Sequence, residues 1–171
     1  VTGHPWERMS IDVTGPHPPS AKGHRFNLTL VDHFSKWAEA FAIRKHTAPV
    51  IAKILVTQVF ARFGCPNQIL SDQGPEFESE LMAELCKELH IDKVRTSPYK
   101  ASTNGAVERF HRTLNGMLGK VVSEKQRDWD EWLPLVMTAY RASPHTATGF
   151  SPNMLTFGRE TSMPIDVVLG R

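Results

Sequence analysis

A chain of 171 residues, 40% of them hydrophobic, is the size of one domain and can bury one continuous core. It holds no run of about 18 apolar residues, and its opening Val1-Thr2-Gly3-His4-Pro5-Trp6 lacks the apolar stretch of a signal peptide, so nothing in it reads as spanning or targeting a membrane. Two cysteines are too few for a disulfide framework, and eight histidines without paired spacing or a CxxC companion give no structural zinc site.

Cys65 and Cys86 are expected to be buried thiols, as free cysteines usually are. The abrupt start without methionine reads as a segment of a longer polyprotein. The formal net charge is only +2, but it is unevenly spread. From Lys93 to Arg127, eight basic residues accompany only Glu108 and Glu124, whereas from Glu76 to Asp92 six acids oppose the single Lys87. A basic segment therefore surrounds Glu108, and basic residues beside a metal-binding carboxylate suit phosphate contacts.

Arg8 to Thr14 alternates, with Met9, Ile11 and Val13 on one side and Ser10, Asp12 and Thr14 on the other, which predicts a strand. Phe26 to Asp32 and Trp37 to Ile43 predict two more, the three forming an antiparallel meander. Pro49 to Phe63 reads as a helix with Ile51, Ile54, Leu55, Val59 and Phe63 on one stripe, stopped by Gly64. Asn67 to Ser71 is a short apolar strand that delivers Asp72 to its end. A helix over Ser79 to His90 follows, with Leu81, Leu85, Cys86 and Leu89 inward, and then a fifth strand over Asp92 to Thr96. This order predicts an α/β fold with one mixed sheet covered on both faces.

Ser97 to Gly105 is polar and irregular and predicts a mobile loop. Helical spacing then puts Val107, Phe110, Leu114, Met117, Leu118 and Val121 on one stripe of a helix over Ala106 to Ser123. At about 100° per residue, Asn104, Glu108, His111, Arg112 and Asn115 group a quarter turn away. A last amphipathic helix spans Trp129 to Ser143, with Trp129, Trp132, Leu133, Val136 and Tyr140 on one side. Ser151-Pro152 opens a short helix that ends at Gly158.

Asp12, Asp72 and Glu108 are the candidate chemistry. An aspartate at a strand end is often only a turn former and a helical glutamate only a solvated charge. Together they can face one another. Two divalent cations about 3.5–4 Å apart need carboxylates from at least two directions, one of them bridging. Asp12 is placed to bridge, Asp72 to complete one site and Glu108 the other. Ligation by oxygen alone selects Mg²⁺ or Mn²⁺. Such a site serves in-line displacement at phosphorus: with water as nucleophile a DNA strand is cut, and with a DNA 3′-hydroxyl two DNAs are joined.

The words around these acids carry a resemblance. They are Trp6 to Pro16, Val31-Asp32-His33-Phe34-Ser35-Lys36-Trp37, Leu70-Ser71-Asp72-Gln73-Gly74-Pro75-Glu76-Phe77 and Thr103-Asn104-Gly105-Ala106-Val107-Glu108-Arg109. Downstream, Ala139-Tyr140-Arg141, Thr148-Gly149-Phe150-Ser151-Pro152 and Gly158-Arg159 join them. The chain resembles, over essentially its whole length, the integrase catalytic core of gypsy-type long-terminal-repeat retrotransposons, relatives of retroviral integrases. That resemblance implies a ribonuclease H-like fold with a five-stranded mixed sheet flanked by helices. It assigns catalysis and metal binding to Asp12, Asp72 and Glu108, with two Mg²⁺ (or Mn²⁺) per active site. The implied activity is 3′-end processing and strand transfer of element DNA into host DNA. The implied partners are double-stranded DNA of both kinds and a homodimer within a higher-order DNA complex. The implied site of action is the nucleus, after assembly in the cytoplasm.

The resemblance also makes Asn104, His111, Arg112 and Asn115 candidate DNA contacts, with Lys100 and Tyr99 in the loop before them. Arg112 suits a phosphate and Tyr99 a splayed base. Arg109 is expected to be structural. The zinc-binding N-terminal and the C-terminal domains of complete integrases do not occur within residues 1–171, and the low net charge puts much of the DNA affinity in them. Three other readings compete: a domesticated DNA-binding or oligomerising module without chemistry, a cut-and-paste transposase, and a ribonuclease H. The last generally places a glutamate on its first helix, and Pro49 to Phe63 contains none.

Overall fold

The computed structural model describes residues 2–96 and 101–163, the side chains of 101–104 excepted. Five strands, β1 (Arg8–Thr14), β2 (Phe26–Asp32), β3 (Ala38–Ile43), β4 (Gln68–Ser71) and β5 (Asp92–Arg95), form one sheet in the order β3-β2-β1-β4-β5. The first three strands are antiparallel, as the alternation predicts, and β4 and β5 add to β1 in parallel. The chain thus folds as the ribonuclease H-like α/β sheet expected of it.

Strand alternation sends two sets of side chains to opposite faces. Met9, Ile11, Leu28, Leu30 and Ile69 pack on one face with helix α1, which is continuous from Ala48 to Phe63, and with α2 (Glu80–Glu88). Val31 and Ala38 pack on the other face with α3 (Ala101–Leu118) and α4 (Trp129–Ala142). A short α5 (Pro152–Phe157) starts with the Ser151 hydroxyl accepting from the Met154 amide at 3.0 Å and ends at Gly158 with φ 71°, as the sequence predicts.

Several local expectations are corrected. Between its α-helical ends Ala48–Ile54 and Ala61–Phe63, α1 is π-helical over Leu55–Phe60. The wider turn keeps Ile51, Leu55 and Val59, each four residues apart, in line on the core, where a regular helix would drift. Helix α2 turns Cys86 inward with Leu85 and Leu89 packed beside it, as expected, but Met82 takes the core place expected of Leu81, which is 42% exposed. Trp132 turns outward on α4, with its indole N–H donating to the Asp128 carboxylate at 3.0 Å, while Met137 takes the core position. Cys65 is exposed in the turn after Gly64, and only Cys86 is a buried thiol.

Helix α3 begins at Ala101, inside the predicted loop, because the polarity of Ser102, Thr103 and Asn104 marks composition and not backbone state. It ends at Leu118, where Gly116 and Gly119 weaken helix propagation, so Val121 lies beyond it and exposed. The rest of the predicted loop, residues 97–100, lies outside the described residues.

His33 ties the β2–β3 turn to β1, its Nε2 2.6 Å from the Ser10 hydroxyl. Burial, with help from Lys36 and Arg8, pushes its pKa down from 6.5 to about 4. Between those values the unfolded chain binds a proton that the folded chain refuses, so this contribution is complete above pH 6.5 and is lost as pH falls toward 4. Its size is about 1–2 kcal/mol after allowance for partial exposure. Denaturant melts at about pH 7 and about pH 5 should show a smaller loss for His33→Gln than for the parent. Equal losses would remove His33 from the acid response.

Candidate active site

Asp12 stands on the face of β1 opposite Met9 and Ile11, toward α3. The β1–β2 register pairs it with Thr29, and the parallel β1–β4 register runs Arg8–Gln68, Met9–Ile69, Ser10–Leu70. Two steps further, just past the end of β4, Asp72 comes level with Asp12. Helix α3 crosses β1 and β2 on the same face and carries Glu108, which is exposed. The structure therefore gathers all three predicted acids at one end of the sheet.

Their electrostatics show how near they are. Burial pushes the Asp12 carboxyl up from 3.8 to about 6, against the opposing hydrogen bond from the Val13 amide at 2.8 Å, and the negative charges of Asp72, Glu76 and Glu108 push in the same direction as burial. Asp72 accepts the Gly74 amide at 3.0 Å. A Cβ on Gly74 would sit 3.1 Å from the Asp72 Oδ1 and 3.1 Å from the Glu76 Cδ, so glycine is what lets these two carboxylates flank one turn.

Glu76 is the acid that sequence reasoning missed. It lies in the same word as Asp72, but it was grouped there with the acidic surface of Glu76 to Asp92. Its side chain is 11% exposed and its Oε1 is 3.2 Å from the His46 Nδ1. Thr29 was missed too. Its hydroxyl lies 3.2 Å from the Asp12 carbonyl oxygen and 2.6 Å from the His111 Nε2. The available signal was a threonine on the polar side of an alternating, otherwise apolar strand that pairs with the strand of Asp12.

His111, assigned above to DNA, turns inward. Its Nδ1 is 3.7 Å from the Asp12 Oδ2, and burial pushes its pKa down to about 4. With the imidazole neutral and the distance beyond a hydrogen bond, this contact is not an ion pair. Arg112 is exposed and lines a groove with Arg109, Thr113 and His145, so Arg109 faces solvent beside Arg112 and does not take the structural place expected of it. Asn115 is exposed at the mouth of a separate cavity. Tyr99, Lys100 and the Asn104 side chain lie outside what is described.

Among the described residues no three His, Cys, Asp or Glu side chains are drawn together closely enough to chelate an ion as they stand. The donor chemistry nevertheless fits a hard divalent cation. Asp12, Asp72, Glu76 and Glu108 offer only oxygen, and burial, reinforced by the other three charges, raises the Asp12 carboxyl to about 6, a cost that a cation would relieve.

The Integrase core domain family matches residues 3–101. The retrovirus-related Pol polyprotein from transposon 412 of Drosophila melanogaster is 29% identical over 161 residues, which is 94% of this chain and 13% of that polyprotein. The Gag-Pol polyprotein of avian reticuloendotheliosis virus is 35% identical over 155 residues, 90% of this chain and again 13% of the relative. The chain thus spans about an eighth of these relatives. Among solved structures, the HTLV-2 integrase catalytic core domain in complex with magnesium, in its dimeric form, superposes with a TM-score of 0.71 at 21% identity, covering 90% of this chain and 97% of that one.

Proposed function

The chain belongs to the Integrase core domain family, and from that premise we propose that it is the catalytic core of a retroelement integrase, which trims the 3′ ends of element DNA and joins them to host DNA. The observation that carries the reading is the half-buried Asp12, raised to about 6, with the charges of Asp72, Glu76 and Glu108 about it at one end of the sheet. A site with this much negative charge repels a DNA phosphate unless cations fill it, and a metal-dependent phosphoryl transferase is built in that way.

Asp12, Asp72 and Glu108 would hold two Mg²⁺ or Mn²⁺ ions, with Glu76 as a further oxygen donor beside them. When bound, the ions neutralise charge developing at phosphorus and favour the ionised nucleophile. The protein's own part is orientation. The Val13 amide holds one Asp12 carboxylate oxygen, the Thr29 hydroxyl donates to the Asp12 carbonyl, and the Gly74 amide holds Asp72. Asp12 and Asp72, held in this way, need less reorganisation than free side chains when a phosphodiester arrives. Arg109 and Arg112, on the same helix as Glu108, are placed to take DNA phosphates. The magnesium and the dimer of the HTLV-2 core support the same cofactor and a homodimer here. The zinc-binding and C-terminal domains are assigned to the rest of the polyprotein, and the reaction to the nucleus.

The test is reversal of strand transfer on a labelled branched DNA with Mn²⁺ or Mg²⁺. Joined product with either ion, and none after chelation, is expected. Absence of both product and calorimetric ion binding would turn the reading to a non-catalytic, domesticated module.

A further inference from the structure

A cavity of about 490 Å³ opens two residues along the sheet from Asp12. We propose that it receives an unstacked base of the DNA strand held at the active site, an inference that rests on the function proposed above. Its polar floor is Asn27 of β2, on the same strand face as Thr29 and paired with Thr14 of β1. Its walls are Leu118, Val122 and the rings of Trp129 and His17, and Asn115 stands at the mouth. His17 is bound to the active-site strand, its Nε2 3.1 Å from the Thr14 hydroxyl. Helix α3 thus carries both Glu108 and the cavity residues Asn115 and Leu118, and the strand that carries Asp12 pairs with the strand that carries Asn27.

Asn27 is the independent sign of a ligand. It is 3% exposed, and its Oδ1 is buried without a hydrogen-bond partner. Folded proteins rarely leave such an acceptor orphaned. An N–H from a ligand would satisfy it, and the amide offers a donor next to that acceptor. A nucleobase presents that combination, a flat apolar body with a donor and an acceptor side by side on its Watson–Crick edge. The cavity lies within the usual size range of small-ligand sites and has room for a base with its sugar. All four bases carry such an edge, so the site recognises that a base is present and not which one. Unstacking is cheapest where the duplex is already interrupted, which is the state of DNA at a cut end or a branch. Lys120, Lys125 and Arg127 are exposed and adjoin the lining residues Gly119, Glu124 and Gln126 in sequence, where they outnumber the single lining acid Glu124 and suit the backbone on either side.

The experiment uses branched DNAs that each carry one abasic residue, stepped away from the branch, with binding followed by fluorescence anisotropy in Mg²⁺. One position should lose about tenfold in affinity, the order of a single base held against aromatic and apolar groups. Asn27→Leu should lose about as much on intact DNA and nothing further at that position. Val122→Trp, which fills the cavity from its half-buried wall, should do the same without touching the strand. 2-Aminopurine at that position should change its fluorescence on binding to the parent and not to Val122→Trp. Uniform tolerance of abasic residues, or parent-like binding by both variants, would overturn the pocket and leave the integrase reading standing. No binding of any branched DNA by the parent would overturn both.

Discussion

Asp12→Asn is expected to abolish strand joining and at the same time to stabilise the metal-free protein. Both changes follow from one cause. Burial first, and then Asp72, Glu76 and Glu108, hold this carboxyl at about 6 against an ordinary 3.8. Between those values the folded chain keeps a proton that the unfolded chain has released, so stability falls as pH rises through the window and the penalty is complete above it. The shift corresponds to about 3 kcal/mol undiscounted, and the side chain is 34% exposed, which screens it to about 1 kcal/mol. Asparagine keeps the volume and can still accept the Val13 amide, and it carries no charge. Near pH 7.5 with chelator, the variant should melt about 2–4 °C above the parent.

The activity moves the other way, by about a thousandfold or more, because charge stabilisation at phosphorus is worth several kcal/mol. Saturating Mn²⁺ should raise the parent by about 3 kcal/mol at a hundredfold excess over Kd and raise the variant far less. Glu108→Gln separates the two effects. Glu108 is exposed, so the variant should lose joining without the gain in metal-free stability. Thermal melts with chelator and with Mn²⁺, alongside rates of joined product, decide the matter. An Asp12→Asn protein that joins DNA at the parent rate, or that melts lower without metal, would remove Asp12 from the centre of the site.

The contrast between Asp12 and Glu76 shows what a sequence can reveal here. Asp12 was legible because strand alternation fixes its face with no long-range knowledge, and β1 and β2 have the predicted bounds. That Asp72 comes level with it depends on parallel pairing across α1, and the word around Asp72 substituted for that geometry. Glu76 had no such help. It is one of six acids between Glu76 and Asp92, identical in type to its solvated neighbours, and only the turn at Gly74 brings it back beside Asp72. His111 and Arg112 belong to one polar group in the sequence, yet consecutive helical residues stand about 100° apart, so Arg112 turns out while His111 turns in, where its imidazole meets Thr29, 82 positions away. The start of α3 was illegible for a related reason, since a polar first turn and a polar loop have the same composition.

The second large effect is on stability, at Arg141. The Tyr140-Arg141 pair explains structurally a word that the sequence could only match. The Tyr140 hydroxyl donates to the Lys36 carbonyl at 3.0 Å, and the Arg141 Nε donates to the Ala38 carbonyl at 3.0 Å, so α4 is fastened to the β2–β3 turn and the edge strand. The guanidinium also bonds the Glu39 carboxylate at 2.6 Å and lies 4.6 Å from the centre of the Trp37 ring. Glu39 is 6% exposed in its side chain and Arg141 16%, so this is a buried ion pair. Removing one member strands the other, which costs about 3–5 kcal/mol. Glu39 keeps the Trp37 indole N–H at 3.1 Å and Arg62 at 3.5 Å, which places Arg141→Met at the lower end, about 3 kcal/mol. The expected fall in Tm is about 6–12 °C. Glu39→Gln with Arg141→Met should cost less than the sum of the two single changes, because each already removes the charge pair. Tyr140 packs edge-on against Phe110 of α3 at 5.1 Å, so loosening α4 reaches the helix that carries Glu108. At about 20 °C, well below the melt, joining by Arg141→Met should stay within a few-fold of the parent, since the residue touches no reacting group. A melt within about 2 °C of the parent, or a large loss of rate in a fully folded variant, would refute this account of Arg141.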